Sequence, residues 1–129
     1  MNDLYEKGLA MRKAVLGEAY VEKSLAGADD FTRPLQQLVT RYCWGEVWCD
    51  PTLSRRDRSL INLAMLSVLN RPHELKLHVK GALVNGVKRE EIREVLRQVA
   101  IYCGVPAAID ASRVAREALS EVDAANNAG

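Results

Sequence analysis

Ile92, Val95, Leu96, Val99 and Cys103 recur at i, i+3, i+4, i+7 and i+11. That period near 3.6 lets an α-helix turn every one of them to one side, which a strand cannot do. The spacing predicts a helix over about 89–103, with Arg93, Glu94 and Arg97 on its wet face and Gly104 as its stop. Alternation of β-branched residues is nowhere sustained, so the chain reads as all-α, with about six to seven helices.

The remaining helices follow from apolar spacing and punctuation. Leu4, Leu9, Met11, Val15 and Leu16 predict an amphipathic helix over 2–16, ending near Gly17. A short helix over 19–25 precedes Gly27, and Asp29 or Asp30 offers an N-cap for the next, which carries Pro34 in its first turn. Asp50-Pro51 ends that helix, and Ser54 with Asp57 makes a capping-box-like start for one over about 55–69. This helix is apolar nearly all round after Arg58, which places it centrally or at a subunit contact. Pro106 opens the last helix, whose Ala108, Ala111, Ala115 and Ala118 form a stripe small enough for close packing. Residues 124–129 read as a flexible tail on a single domain covering 1–129.

Composition removes several function classes. The 129 residues hold 18 basic and 17 acidic side chains, a net charge of +1. Such balance gives no electrostatic reason to expect nucleic acid or an anionic membrane. No apolar run approaches the ~20 residues needed to cross a bilayer. The first residues lack the basic and apolar regions of a signal peptide. Three cysteines, Cys43, Cys49 and Cys103, are an odd, widely spaced set that fits a reducing cytoplasm better than a disulfide framework.

Chemistry concentrates in Arg71-Pro-His-Glu-Leu-Lys-Leu-His78 and the residues after it. On a helix, Arg71, Glu74 and His78 share one stripe, while His73, Lys76 and Lys80 cluster opposite. Lysines rarely enter a core, so the reading puts their side in water and the Arg71–Glu74–His78 stripe inward. A cation, a carboxylate and an imidazole on a protected face suit acid–base work, with Glu74 orienting the His78 ring and Arg71 forking onto a substrate carboxylate. The bland alternative is an internal Arg71–Glu74 ion pair beside a satisfied histidine. Arg58, one turn before Asn62, is a second inward cation or an ordinary surface arginine. Trp44 and Trp48, four apart, are core or subunit-interface residues, or the wall of a ligand cavity. A metal at Glu74 and His78 lacks a third ligand on that face, since the chain has only two histidines. No Cys-x-x-Cys and no glycine-rich phosphate loop occur.

Several blocks in order add a resemblance: Gly8 with Arg12, Val15-Leu-Gly17, Tyr20-Val21, Trp44-Gly-Glu-Val-Trp48, Leu53–Leu60, Glu74-Leu-Lys-Leu-His78, Gly81–Gly86, Glu91–Val95 and Tyr102–Ala108. Together they resemble the carboxymuconolactone decarboxylase family over about 5–119. The resemblance implies an AhpD-like helical fold, a homo-oligomer, usually a hexamer, and no cofactor. It implies decarboxylation of gamma-carboxymuconolactone to the β-ketoadipate enol-lactone, or action on another small lactone in the same family. The related alkylhydroperoxidases carry Cys-x-x-Cys-x-x-x-His, and placing that histidine on His78 puts their cysteines at Arg71 and Glu74, so the dithiol is missing. In this reading His78 and Glu74 are catalytic, Arg58 and Arg71 bind carboxylates, Trp44 and Trp48 line the pocket, and the partners are a lactone dicarboxylate and other copies of the chain.

Overall fold

A computed structural model describes residues 3–128, all of whose regular elements are helical. In chain order these are α1 (Asp3–Leu16), α2 (Glu18–Ala26), α3 (Arg33–Leu38), a π-helix (Val39–Trp48), α4 (Arg55–Val68), α5 (Pro72–Val84), α6 (Arg89–Cys103) and α7 (Val105–Ala128). Of the expected tail over 124–129, the residues up to Ala128 continue α7, and Gly129 lies outside the described residues. None of these helices is long and apolar enough to cross a membrane. The chain divides into two compact units, residues 1–54 and 55–129.

The first unit is built on the crossing of α1 with the π-helix. Gly8 and Gly45 make it possible. A Cβ on Gly8 would lie 1.9 Å from the Thr40 carbonyl oxygen, and one on Gly45 would lie 2.4 Å from that of Leu4. The backbones therefore touch where any larger residue would hold them apart. Beside the crossing, Trp44 and Trp48 stack at 4.9 Å and 22°. They are 3% and 5% exposed and pack with Val15, Met11, Leu16 and Val39. The cap before α3 differs from the expectation only in detail. Asp29 sits three residues ahead of Thr32, and its Oδ1 accepts from the Phe31 and Thr32 amides at 3.0 Å.

The second unit packs α4 to α7 around one apolar cluster. Leu63 of α4, Leu75, Val79 and Ala82 of α5, and Ile92 and Leu96 of α6 meet the alanine stripe of α7 at Ala111, Ala115 and Ala118. The small side chains let α7 lie close against its neighbours, as their spacing predicts. On α6 the apolar stripe is buried at Ile92, Leu96 and Val99, but Cys103 at its end is exposed. Pro72 takes the first position of α5, and Gly86 follows its C-cap at φ +90°. The Val87 amide then closes onto Ala82 O at 2.9 Å, as expected of a helix that stops at glycine.

Candidate functional site

The stripe on α5 does not point into the core. The buried face of that helix is Leu75, Val79 and Ala82, whereas Arg71 and Glu74 are exposed and His78 is half-buried. The inward placement expected from the lysines fails for a physical reason. Lys76 and Lys80 lie against α7, where Glu117 and Glu121 neutralise them: Lys76 Nζ donates to Glu117 Oε1 at 2.9 Å and pairs with Glu121, and Lys80 Nζ donates to Glu121 Oε1 at 2.7 Å. Their charge marks a helix contact rather than open water.

The stripe runs along the seam with α4. Asn85, seven residues beyond His78, continues it, and its Nδ2 donates to the buried Ser59 Oγ at 2.9 Å. Arg55 Nε donates in turn to Asn85 Oδ1 at 3.2 Å. These bonds fix the start of α4 beside the end of α5, so the two helices run antiparallel. Arg58 therefore lies near the level of Asn85, and Arg71 caps the opposite end. At 1.5 Å per residue, the two arginines are roughly 20 Å apart along the axis, with His78 about midway. They cannot both fork onto one carboxylate, but they can bracket a diacid whose centre lies at His78. Arg71 holds its own place through the backbone: its N–H donates to Leu66 O at 3.1 Å, and its carbonyl accepts from the Leu75 amide at 2.8 Å.

Ser59 and Asn85 were not singled out from the sequence. Asn85 could have been, because it keeps the period of Glu74 and His78. Ser59 could have been too, as a small hydroxyl near the start of an otherwise apolar helix. A further anchor joins α4 to α6, where Arg56 pairs with Glu91 and Glu91 Oε1 accepts from the Lys88 amide at 2.9 Å. Trp44 and Trp48 lie in the core of the first unit.

The electrostatics of the imidazole is decided by burial. Desolvation pushes the His78 pKa down to about 4, against the opposing pull of the Glu74 charge. At neutral pH the ring is uncharged and offers one N–H donor. The linkage has a definite sign. Protonation of His78 favours the unfolded chain, so its contribution to stability is complete above pH ~6.5 and is lost as pH falls toward ~4. Urea unfolding should therefore weaken between pH 7 and 5 more in the wild type than in His78→Gln, by up to ~2 kcal/mol. Equal losses in both proteins would mean that the ring is not desolvated.

Among the described residues no three of His, Cys, Asp or Glu are grouped to hold a metal ion. The family model for carboxymuconolactone decarboxylases matches residues 33–117. The chain belongs to the carboxymuconolactone decarboxylase family. The match contains the whole α4–α5 seam. Two relatives extend the similarity over nearly the full length. A nitrosuccinic acid decarboxylase of Metarhizium robertsii is 43% identical over 92% of this chain and 83% of its own. A 4-carboxymuconolactone decarboxylase of Acinetobacter baylyi is 39% identical over 95% of this chain and 92% of its own. Both names denote carboxy-lyases, and the helical class expected of the family is the one observed.

Proposed function

We propose that the chain is a carboxy-lyase that removes CO2 from 4-carboxymuconolactone without a cofactor, giving the β-ketoadipate enol-lactone. The observation that carries this reading is near-full-length similarity to a relative named for that reaction, with Glu74 and His78 on one stripe between two arginines. The substrate is its own electron sink. Breaking the bond to the ring carboxylate sends the electron pair through the ring alkene to the lactone carbonyl, forming a dienolate as CO2 leaves. A proton then adds to the ring carbon next to that carbonyl, and the electron pair returns to restore the lactone.

Arg58 and Arg71 hold the two carboxylates through their forked donors. His78, neutral in the free protein, donates its N–H to the developing oxyanion, where a hydrogen bond is worth more than in water. Anionic groups of the substrate beside the ring favour its protonated form and so make a proton available. Glu74 stabilises that charge. The two exposed members of the stripe need covering, and we assign that to a second copy of the chain in a homo-oligomer. In support, α4 and α6 expose an apolar groove of about 700 Å³ lined by Leu60, Ala64, Met65 and Val99. Three free thiols fit a cytoplasmic setting.

The second reading is favoured by the identity to the nitrosuccinic acid enzyme. A nitro group on an open-chain diacid accepts the electron pair as the lactone carbonyl does. One assay separates them. The purified protein, with EDTA present, is given the lactone made in situ or nitrosuccinate, and CO2 is followed while light scattering reports its mass. The lactone should be consumed by a species heavier than the monomer. Turnover of nitrosuccinate alone would transfer the assignment, and CO2 from neither would overturn both.

A further inference from the structure

Among the described residues, no negative charge answers one positive charge buried in the first unit. Arg12, in the middle of α1, is only 6% exposed. Its Nη1 donates to Gln36 Oε1 at 2.9 Å and to Thr40 Oγ1 at 3.2 Å, both neutral acceptors. The Thr40 hydroxyl spends its own proton on Gln36 O at 2.8 Å, so it can only accept from the guanidinium. The Arg12 Nε is buried without an acceptor, and none of the ion pairs among the described residues includes Arg12. Arg41, next to Thr40, adds a second Nε in the same condition.

Arginine does not shed its proton to escape this. A buried, unpaired cation costs several kcal/mol, and native structures supply a counter-charge. The groups whose charge acts on Arg12 are Tyr20, Cys43 and Tyr5, none of them a carboxylate. Burial moves the Cys43 thiol away from the thiolate that could have served, outweighing the attraction of Arg12. Thr40 and Cys43 both sit on the ten-residue π-helix, a form of backbone frequent at functional sites. With Nη1 committed, the remaining donors are the Nε and Nη2 edge, whose geometry matches the two oxygens of a carboxylate.

We propose that residues 1–54 contain a carboxylate-binding site centred on Arg12, which takes a free small organic acid. The acid's oxygens occupy the Nε–Nη2 edge. The proposal stands whether or not the decarboxylase assignment does.

Cys43 serves as the reporter, in the full chain carrying Cys49→Ser and Cys103→Ser. Succinate at millimolar concentration, with chloride at equal ionic strength as control, is the probe. A bound carboxylate cancels the field that Arg12 exerts on the thiolate, so iodoacetamide should label Cys43 at least ~3-fold more slowly at mildly alkaline pH. Succinate should also raise the melting temperature. In Arg12→Lys, which keeps the charge and loses the fork, half-maximal protection should need at least ~10-fold more succinate. Arg12→Gln should abolish it. If either variant fails to fold, the reporter protein with Arg12 intact still decides: a labelling rate and melting temperature indifferent to succinate overturn the site. Protection that follows protein concentration instead of succinate also overturns it, because the counter-charge would then come from a second copy.

Discussion

His78→Ala and Glu74→Gln should each lower turnover of the lactone by at least ~10²-fold while the protein keeps its helicity and its assembled mass. The expectation rests on position. His78 is the half-buried member of the stripe, midway between Arg71 and Arg58, and Glu74 is the charge that acts on it across one helical turn. On the proposed mechanism, removing the imidazole deletes the donor to the dienolate oxygen. Neutralising Glu74 leaves the donor in place but withdraws the charge that favours its protonated form. The two variants should therefore differ in pH profile. His78→Ala should flatten the limb that reports the imidazole, and Glu74→Gln should shift it toward lower pH. Steady-state rates with saturating lactone across pH 5 to 8 give both readouts. Near-full activity in either variant would remove that residue from the mechanism.

Gly8→Ala should destabilise the protein by ~3 kcal/mol or more, a large effect for one methyl group. The added carbon would meet the Thr40 carbonyl oxygen at 1.9 Å and the Gly45 nitrogen at 2.7 Å. Both belong to backbone, so no side chain can swing aside. Either α1 lifts off the π-helix, opening the contact of Val15 with the stacked indoles, or the segment unwinds. Ala10→Gly, at an exposed position of the same helix, supplies the comparison: it should cost ~1 kcal/mol, the usual penalty of glycine in a helix. Urea unfolding followed by tryptophan fluorescence reads the first unit directly, because both tryptophans lie there. If Gly8→Ala costs no more than Ala10→Gly, the helices are not held at backbone distance.

Much of this architecture is legible in the residues, and the parts that are not share a cause. Helix boundaries follow from local signals, so α6 appears over 89–103 as its period dictates, and Pro72 and Gly86 bracket α5. The facing of α5 depends on partners far along the chain. Lys76 and Lys80 suggest a wet surface until Glu117 and Glu121, 41 residues later, are seen to meet them. The titration of His78 is a contest between burial and a neighbouring carboxylate, and only coordinates give the burial. The wide turn over 39–48 has no signature in composition. Arg12 looks like any charged residue of an amphipathic helix until the π-helix closes over it.

That wide turn makes the number of residues between Val39 and Trp48 a specification in its own right. Hydrogen bonds to the fifth residue, not the fourth, let ten residues fill the span. Deleting one would invite the segment to rewind in ordinary α-helical register and swing everything after the cut by about 100°. Trp48 would then leave its partner ring. Beyond the identity of its buried residues, the segment is held to its length: a gap of a single codon would misalign the whole of it.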